Sequence, residues 1–384
     1  MMGLTSSFSV ISLLAGVSAA SDPFFIVQHG KATFTTRVDP IISPGGISSH
    51  VHTVVGSSSF KNVYDYDNSR NGKCTTANVI EDKSNYWIPQ LYRKEDNGTF
   101  ALVPMNRVNT QDGEEVHEFP PGFKMLAGSS KRSTYDDNDY SNKAISYTCL
   151  DFSGAPGKPD THEFPPYSCP DDLRANVFFP NCWDGVNTWL EGSKHVAYPA
   201  SGGHDSGGPC PATHPKRIMS LFYEFHFTDR YDYKEGARVW AEGDNTGYSL
   251  HGDFTNGWPT GLFPKVFEAG ASCNVGFSIE NCPVLEPIFT HSGGGTCTPD
   301  DPSVIIDEEI GENGPLAALP GNNPIWSTNG SPANNAVAVP GANTTATTPS
   351  PTGVAPVNLV ATGGVDNNAT KHCGAKKRRL SAQF

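Results

Sequence analysis

Glycine and proline, 39 and 31 of the 384 residues, leave few places where a helical period could be sustained. What stands between them is a series of short β-rich runs. They are FFIVQHGKATFTTRV (24–38), HVHTVV (50–55), NVIEDKSNYWIPQLYR (78–93), AISYTCLDF (144–152), ANVFFPNCW (175–183), IMSLFYEFHF (218–227) and GYSLHGDF (247–254). In IMSLFYEFHF, Met219, Leu221, Tyr223, Phe225 and Phe227 fall on one face, and Ile218, Ser220, Phe222, Glu224 and His226 on the other. The odd-numbered face is wholly apolar or aromatic and is expected to face a core. Short strands divided by turn signals predict an all-β fold, a β-sandwich or jelly-roll-like single domain with long loops.

The ends of the chain differ from this body. Phe8–Val17 is apolar and is followed by the small residues Ser18, Ala19 and Ala20. This reads as a signal peptide over 1–20, too short to span a bilayer. The expected β-rich domain then runs over 21–315. The expected tail, 316–384, is rich in Ser, Thr, Pro and Asn from about Gly321, and cannot bury enough apolar area to offset its chain entropy. It reads as a disordered stalk carrying Asn343 and Asn368 in N-x-[ST] sequons. Asn329 heads a third, weakened by Pro332, and Asn97 heads one in the body.

Eight cysteines (Cys74, Cys149, Cys169, Cys182, Cys210, Cys273, Cys282, Cys297) lie in the body, and Cys373 stands apart near the end. An even set in an exported chain implies up to four disulfides, whose pairing the sequence leaves open. No C-x-x-C pair suggests zinc. Five of the 27 basic residues (Lys371, Lys376, Lys377, Arg378, Arg379) sit in the last fourteen positions, so 22 bases face 40 acids elsewhere. Such a body should repel nucleic acid and anionic lipid. No further segment approaches the roughly 20 apolar residues of a membrane span.

The stretch SSHVHTVVG (48–56) carries the most chemistry. On a strand, His50 and His52 project from one face roughly 6–7 Å apart and could serve one ion or one substrate group. The plainer alternative is two half-exposed histidines bonded to their neighbours. His195, His214 and His251 each sit among Gly, Pro, Cys or aromatic residues, as in a fixed loop. His251 and Asp253 would share a face if the strand through YSL continues, so that Asp253 could orient the imidazole. Arg37, near Asp39, could steady negative charge or form a surface ion pair. Trp183 and Asp184 in FFPNCWDG, with Tyr198 and Trp258, could contact a sugar ring. For Trp183 and Asp184 a disulfide-anchored loop, and for Trp258 core packing, are the plainer readings.

Three alternatives fail on sequence. A copper histidine brace needs an N-terminal histidine, whereas cleavage would expose Ser21. A cupin glutamate does not follow His52, and no G-x-S-x-G elbow is present.

The blocks DPIISPGGISSHVHTVVG, FPPGFKMLAG, NVFFPNCWDG, SKHVAYP, CPATHPKRIMSLFYEFHF and SLHGDFTNGW occur in this order over about residues 24–290. Together they resemble the fungal secreted family catalogued as domain of unknown function nineteen ninety-six. The resemblance implies export, a single domain with a variable tail, and histidine-bearing blocks as hallmarks; it supplies no mechanism.

The leading expectation is a secreted enzyme acting on extracellular or cell-wall polysaccharide, a hydrolase or a lyase. His50, His52, His195, His251, Asp253 and Arg37 would be its catalytic residues. Trp183, Asp184, Tyr198 and Trp258 would bind substrate. A divalent metal ion, if used, would take His50, His52 and His251. The alternatives are a non-catalytic wall-binding glycoprotein and a secreted metal-binding protein.

Overall fold

The computed structural model describes residues 24–113, 117–205, 208–268, 270–291 and 297–326. The expected signal peptide, Asn329, Asn343, Asn368, Cys373 and the basic terminus lie outside them. Ordered packing continues past the expected boundary at 315, with Leu319 1% exposed.

The strands are β1 (Phe24–His29), β2 (Phe34–Thr36), β3 (His52–Gly56), β4 (Asn85–Pro89), β5 (Leu91–Lys94), β6 (Phe100–Leu102), β7 (Met105–Gly113) and β8 (Lys124–Gly128). They continue with β9 (Ile145–Cys149), β10 (Leu173–Phe178), β11 (Cys182–Trp183), β12 (Val196–Ala197), β13 (Lys216–Arg217), β14 (Phe222–Phe227), β15 (Arg238–Trp240) and β16 (His251–Thr255). The long β-rich runs are therefore broken. The run 24–38 bends between β1 and β2, and 78–93 carries β4 and β5 on either side of Gln90. Among the described residues α-helix is confined to three short turns, and no helix is long and apolar enough to cross a membrane.

Two five-stranded sheets, in the orders β1-β7-β14-β10-β9 and β2-β3-β4-β16-β8, make a β-sandwich. Every strand pair within them is antiparallel. The odd-numbered residues of β14 face inward as the alternation predicts. Tyr223, Phe225 and Phe227 share one buried cluster with Ala175 and Val177 of β10 and with Val55, Tyr86, Ile88, Met125 and Phe254 of the facing sheet. This aromatic-rich core is the main source of stability, at roughly 1.5–3 kcal/mol for each large side chain taken from water. Tyr223 also donates its hydroxyl hydrogen to the Asp253 carbonyl oxygen at 2.7 Å, tying β14 to β16 across the sandwich.

The second sheet is buried on its other face too. There Val54 and Trp87 pack with Phe34, Val38, Ile41 and Phe60 in a smaller apolar cluster. Four disulfides pin the loops: Cys74–Cys297, Cys149–Cys169, Cys182–Cys210 and Cys273–Cys282. Cys74–Cys297 spans 223 residues and fastens the segment 297–326, a strap lying over the second sheet.

One buried acid makes the fold sensitive to pH. Asp82 accepts hydrogen bonds from Ser84 N (3.0 Å) and from Tyr86 Oη (2.8 Å), and Trp258 Nε1 donates to the same Tyr86 oxygen (3.1 Å). Burial outweighs these bonds and raises the Asp82 pKa from 3.8 to about 7. Between these values the folded chain holds a proton that the unfolded chain releases, so this group's contribution falls as pH rises through about 7. The melting temperature of Asp82→Asn relative to the unsubstituted protein should therefore rise from pH 4 to pH 8. A difference independent of pH contradicts this assignment.

Candidate metal centre

The second sheet brings three distant histidines to one spot. β-Branched Thr53, Val54 and Val55 favour the extended chain of β3, and the strand pairs with β4 so that His52 stands opposite Pro89. On the other side of β4, β16 pairs with Asp253 opposite Trp87. Extending that register by two residues sets His251 in the same row as Pro89 and His52. The short Pro89 ring leaves room above the sheet for imidazoles from both neighbouring strands. Gly128, across from His251, has φ +76° and lies so close that a Cβ would sit 2.4 Å from the Leu250 carbonyl oxygen. Only glycine lets β8 press against the start of β16 there.

His50 precedes the strand, where the chain bends, so its ring comes nearer to His52 than strand spacing alone would allow. The centroids of the two rings are 4.4 Å apart. His251 lies 5.1 Å from His50 and 6.1 Å from His52 between centroids. One ligand nitrogen from each ring lies within 4.8 Å of the others. His52 is 0% exposed, His50 5% and His251 8%. Burial drives all three pKa values down, to about 4 for His52 and His251 and well below 6.5 for His50, where the neighbouring rings add to the effect. The rings are neutral at physiological pH, the form that binds metal.

Their outer nitrogens are already committed. His52 Nδ1 donates to the Val38 carbonyl oxygen (3.1 Å) and His251 Nδ1 to that of Ser249 (2.8 Å). Each neutral ring must then carry its lone pair on Nε2. His50 Nδ1 pairs with Ser49 Oγ at 3.0 Å, and a hydroxyl can donate or accept. His50 Nε2 lies 3.2 Å from His251 Nε2, while buried His52 Nε2 has no hydrogen-bond partner. Bonding each ring's second nitrogen to a carbonyl or hydroxyl is how metal-binding imidazoles are held and made more basic. Three neutral imidazoles suit zinc, copper, iron or nickel rather than calcium or magnesium.

Carboxylates surround the rings. Asp253, on the same strand face as His251, is 1% exposed with neither carboxylate oxygen hydrogen-bonded. Its pKa is held well above the ordinary value by burial, then by Asp39 and Glu242. Glu242 accepts from Ser249 Oγ (2.7 Å), leaves Oε2 without a partner, and lies 3.8 Å from His251 Nδ1. Asp39 receives the amides of Ile41 and Ile42 and acts electrostatically on both His251 and Lys124. Burial also raises the Glu242 pKa to about 8 and that of Asp39 above its ordinary value, so a nearby cation would be needed to hold these carboxyl groups charged at neutral pH.

The other residues singled out from sequence are elsewhere or otherwise engaged. His195 is wholly buried, donating from Nε2 to the Lys124 carbonyl (2.9 Å) and accepting the Leu190 amide at Nδ1 (3.3 Å). Both nitrogens therefore serve the backbone. Arg37 forms a bidentate pair with Glu308 (2.7 and 2.8 Å) and donates to the Ser48 carbonyl, which supports the ligand loop. Trp183 donates to the Asn187 carbonyl, and Asp184 caps the amides of Val186 and Asn187, as expected of an anchored loop. Tyr198 donates to the Phe178 carbonyl. Trp258 is 3% exposed and packs on Phe263, so its plainer reading holds and it offers no sugar platform. His214 bonds to Thr213 and the Lys194 carbonyl. Sequence reasoning missed Glu242, Lys124 and Trp189. Trp189 is half-buried against the cluster that includes Val38, Val54 and Trp87, with Lys124 Nζ 5.3 Å from its ring centre.

A family model described as Domain of unknown function (DUF1996) matches residues 39–258, more than half of the chain. The chain belongs to this family. No curated protein and no solved structure matches it. The DUF1996 region contains all three histidines with Asp39, Glu242 and Asp253, and ends before Glu308 and the rest of the strap.

Equilibrium dialysis against zinc or cobalt(II), followed by metal analysis, should find one ion per chain. His52→Ala should weaken binding by at least about 100-fold, whereas His195→Ala should change it less than about threefold. Equal losses in both variants would refute the assignment of ligands.

Proposed function

We propose that this protein is a secreted, metal-dependent enzyme that holds one divalent transition-metal ion on His50, His52 and His251. The convergence of one ring nitrogen from each of three histidines, with Nδ1 of His52 and His251 bound to carbonyls, carries this reading. Three protein ligands leave a coordination position open, and an ion held this way supplies a Lewis acid and lowers the pKa of water. His251 and His50, 8% and 5% exposed, are the less enclosed members of the triad. Asp253, with two unpartnered oxygens on the same face, would accept a hydrogen bond from the attacking water.

Extracellular or cell-wall polysaccharide, cleaved by hydrolysis or by elimination, is the substrate class proposed. Export is supported by four disulfides and by Asn97, whose sequon is exposed at the β5–β6 turn. There Thr99 Oγ1 donates to Asn97 Oδ1 at 2.7 Å. The aromatic residues first assigned to sugar stacking are dispersed, so nothing favours a sugar-binding platform without the metal. The enclosure of His52 favours a second reading, a metal-binding protein without turnover.

Incubation of metal-loaded protein with cell-wall polysaccharide should release new reducing or unsaturated ends. Chelation or His52→Ala should abolish the release, and Asp253→Asn should lower the rate about 100-fold with metal content unchanged. Stoichiometric metal with no product from any wall fraction would exclude the enzyme and leave the second reading.

A further inference from the structure

We infer that the strap outside the DUF1996 region forms part of the metal centre, with Asn323 as the residue that positions its ligand loop; this rests on the triad binding a metal. Val51, between the two ligands of the H-x-H pair, turns away from them and is wholly buried with Tyr92, Val239, Ala241, Ile310 and Leu319. Ile310 and Leu319 belong to the strap. The apolar residue that fixes the orientation of His50 and His52 is thus packed against chain some 260 residues later in sequence.

Asn323 makes the polar half of the same junction. Its Nδ2 lies 2.9 Å from the Ser49 carbonyl oxygen, 3.0 Å from that of Ala241 and 3.1 Å from that of Pro320. One amide group therefore clips the loop carrying Ser49 and His50 to the loop carrying Glu242. Gly321, at φ +78°, approaches so closely that a Cβ would lie 2.6 Å from the Ser49 carbonyl oxygen. Trp326 completes the clip, donating Nε1 to the Glu242 carbonyl (3.0 Å) and its amide to that of Gly243 (2.9 Å). The strap is anchored at its start by Cys74–Cys297 and midway by the Arg37–Glu308 pair. Contacts to Ser49 and Glu242 act on the metal through those residues. Asn323 is therefore a positioning residue.

The test uses the full chain loaded with cobalt(II), whose visible absorption reports ligand geometry. Asn323→Asp keeps the side-chain shape but removes the donor amide. It should weaken cobalt binding about 10–100-fold and shift the visible bands at saturating cobalt. Trp326→Phe, which removes only the bond to the Glu242 carbonyl, should act in the same direction more weakly. Asp301→Ala, at the exposed start of the strap where Asp301 caps the Ser303 amide and hydroxyl, should leave cobalt affinity and the saturated spectrum unchanged. Wild-type affinity and spectrum in both Asn323→Asp and Trp326→Phe would overturn the inference. Failure of the unsubstituted chain to bind cobalt would instead overturn the metal reading on which it rests. Should Asn323→Asp not fold, the Trp326→Phe spectrum decides alone, a shift supporting the inference and no shift overturning it.

Discussion

The site depends on strand register. In an antiparallel sheet each residue has fixed partners, and a slip of one residue turns every side chain to the opposite face. The β3–β4–β16 register sets His52, Pro89 and the start of β16 in one row, and a side chain at Gly128 would collide with the Leu250 carbonyl and force β8 away from the start of β16. The facing sheet holds this arrangement from beneath, through the Tyr223 hydrogen bond to the Asp253 carbonyl and the aromatic core around it. A sheet face that bears histidines and carboxylates would ordinarily be open to water. Here the strap and the 37–50 segment cover it, and that burial gives the residues their unusual properties.

Burial changes the chemistry of an ordinary group of polar residues. Water would allow each imidazole to titrate near its usual value, and each carboxylate to ionise independently. Under the strap the rings are neutral and one nitrogen of each converges on a shared point, while buried carboxyl groups with unpartnered oxygens stand alongside. An unmatched buried polar group costs roughly 1–3 kcal/mol, and more when it is charged. A divalent ion bound by the three rings would also favour ionisation of the carboxyl groups beside them. Asp82 in the inner core is a buried acid of the same kind: Ser84 N and Tyr86 Oη donate to it, Arg70 acts on it electrostatically, and burial still raises its pKa to about 7.

Local pattern was legible where local physics decides. Period-two alternation identified the inward face of β14, an even cysteine set indicated the disulfides, and the spacing of His251 with Asp253 placed that pair on a shared face, whereas His50 meets His52 through a bend before β3 and not through strand spacing. The sequence could not rank histidines by their partners. His195 has the same Gly- and aromatic-rich surroundings as His251, yet two backbone groups occupy both of its nitrogens. Arg37 looked available for substrate because its partner, Glu308, lies 271 residues away. The strap was hidden for a different reason. Its composition grades into the Ser-, Thr- and Pro-rich tail, and its hold on Ser49 and Glu242 consists of a few side-chain contacts without a periodic signature.

X-ray absorption at the zinc edge, on protein loaded with one equivalent of zinc and dialysed free of excess, tests the central claim most directly. A first shell of nitrogen and oxygen at about 2.0–2.1 Å is expected, with outer-shell scattering from three imidazoles. A spectrum lacking imidazole scattering, or dialysed protein free of zinc, would contradict it.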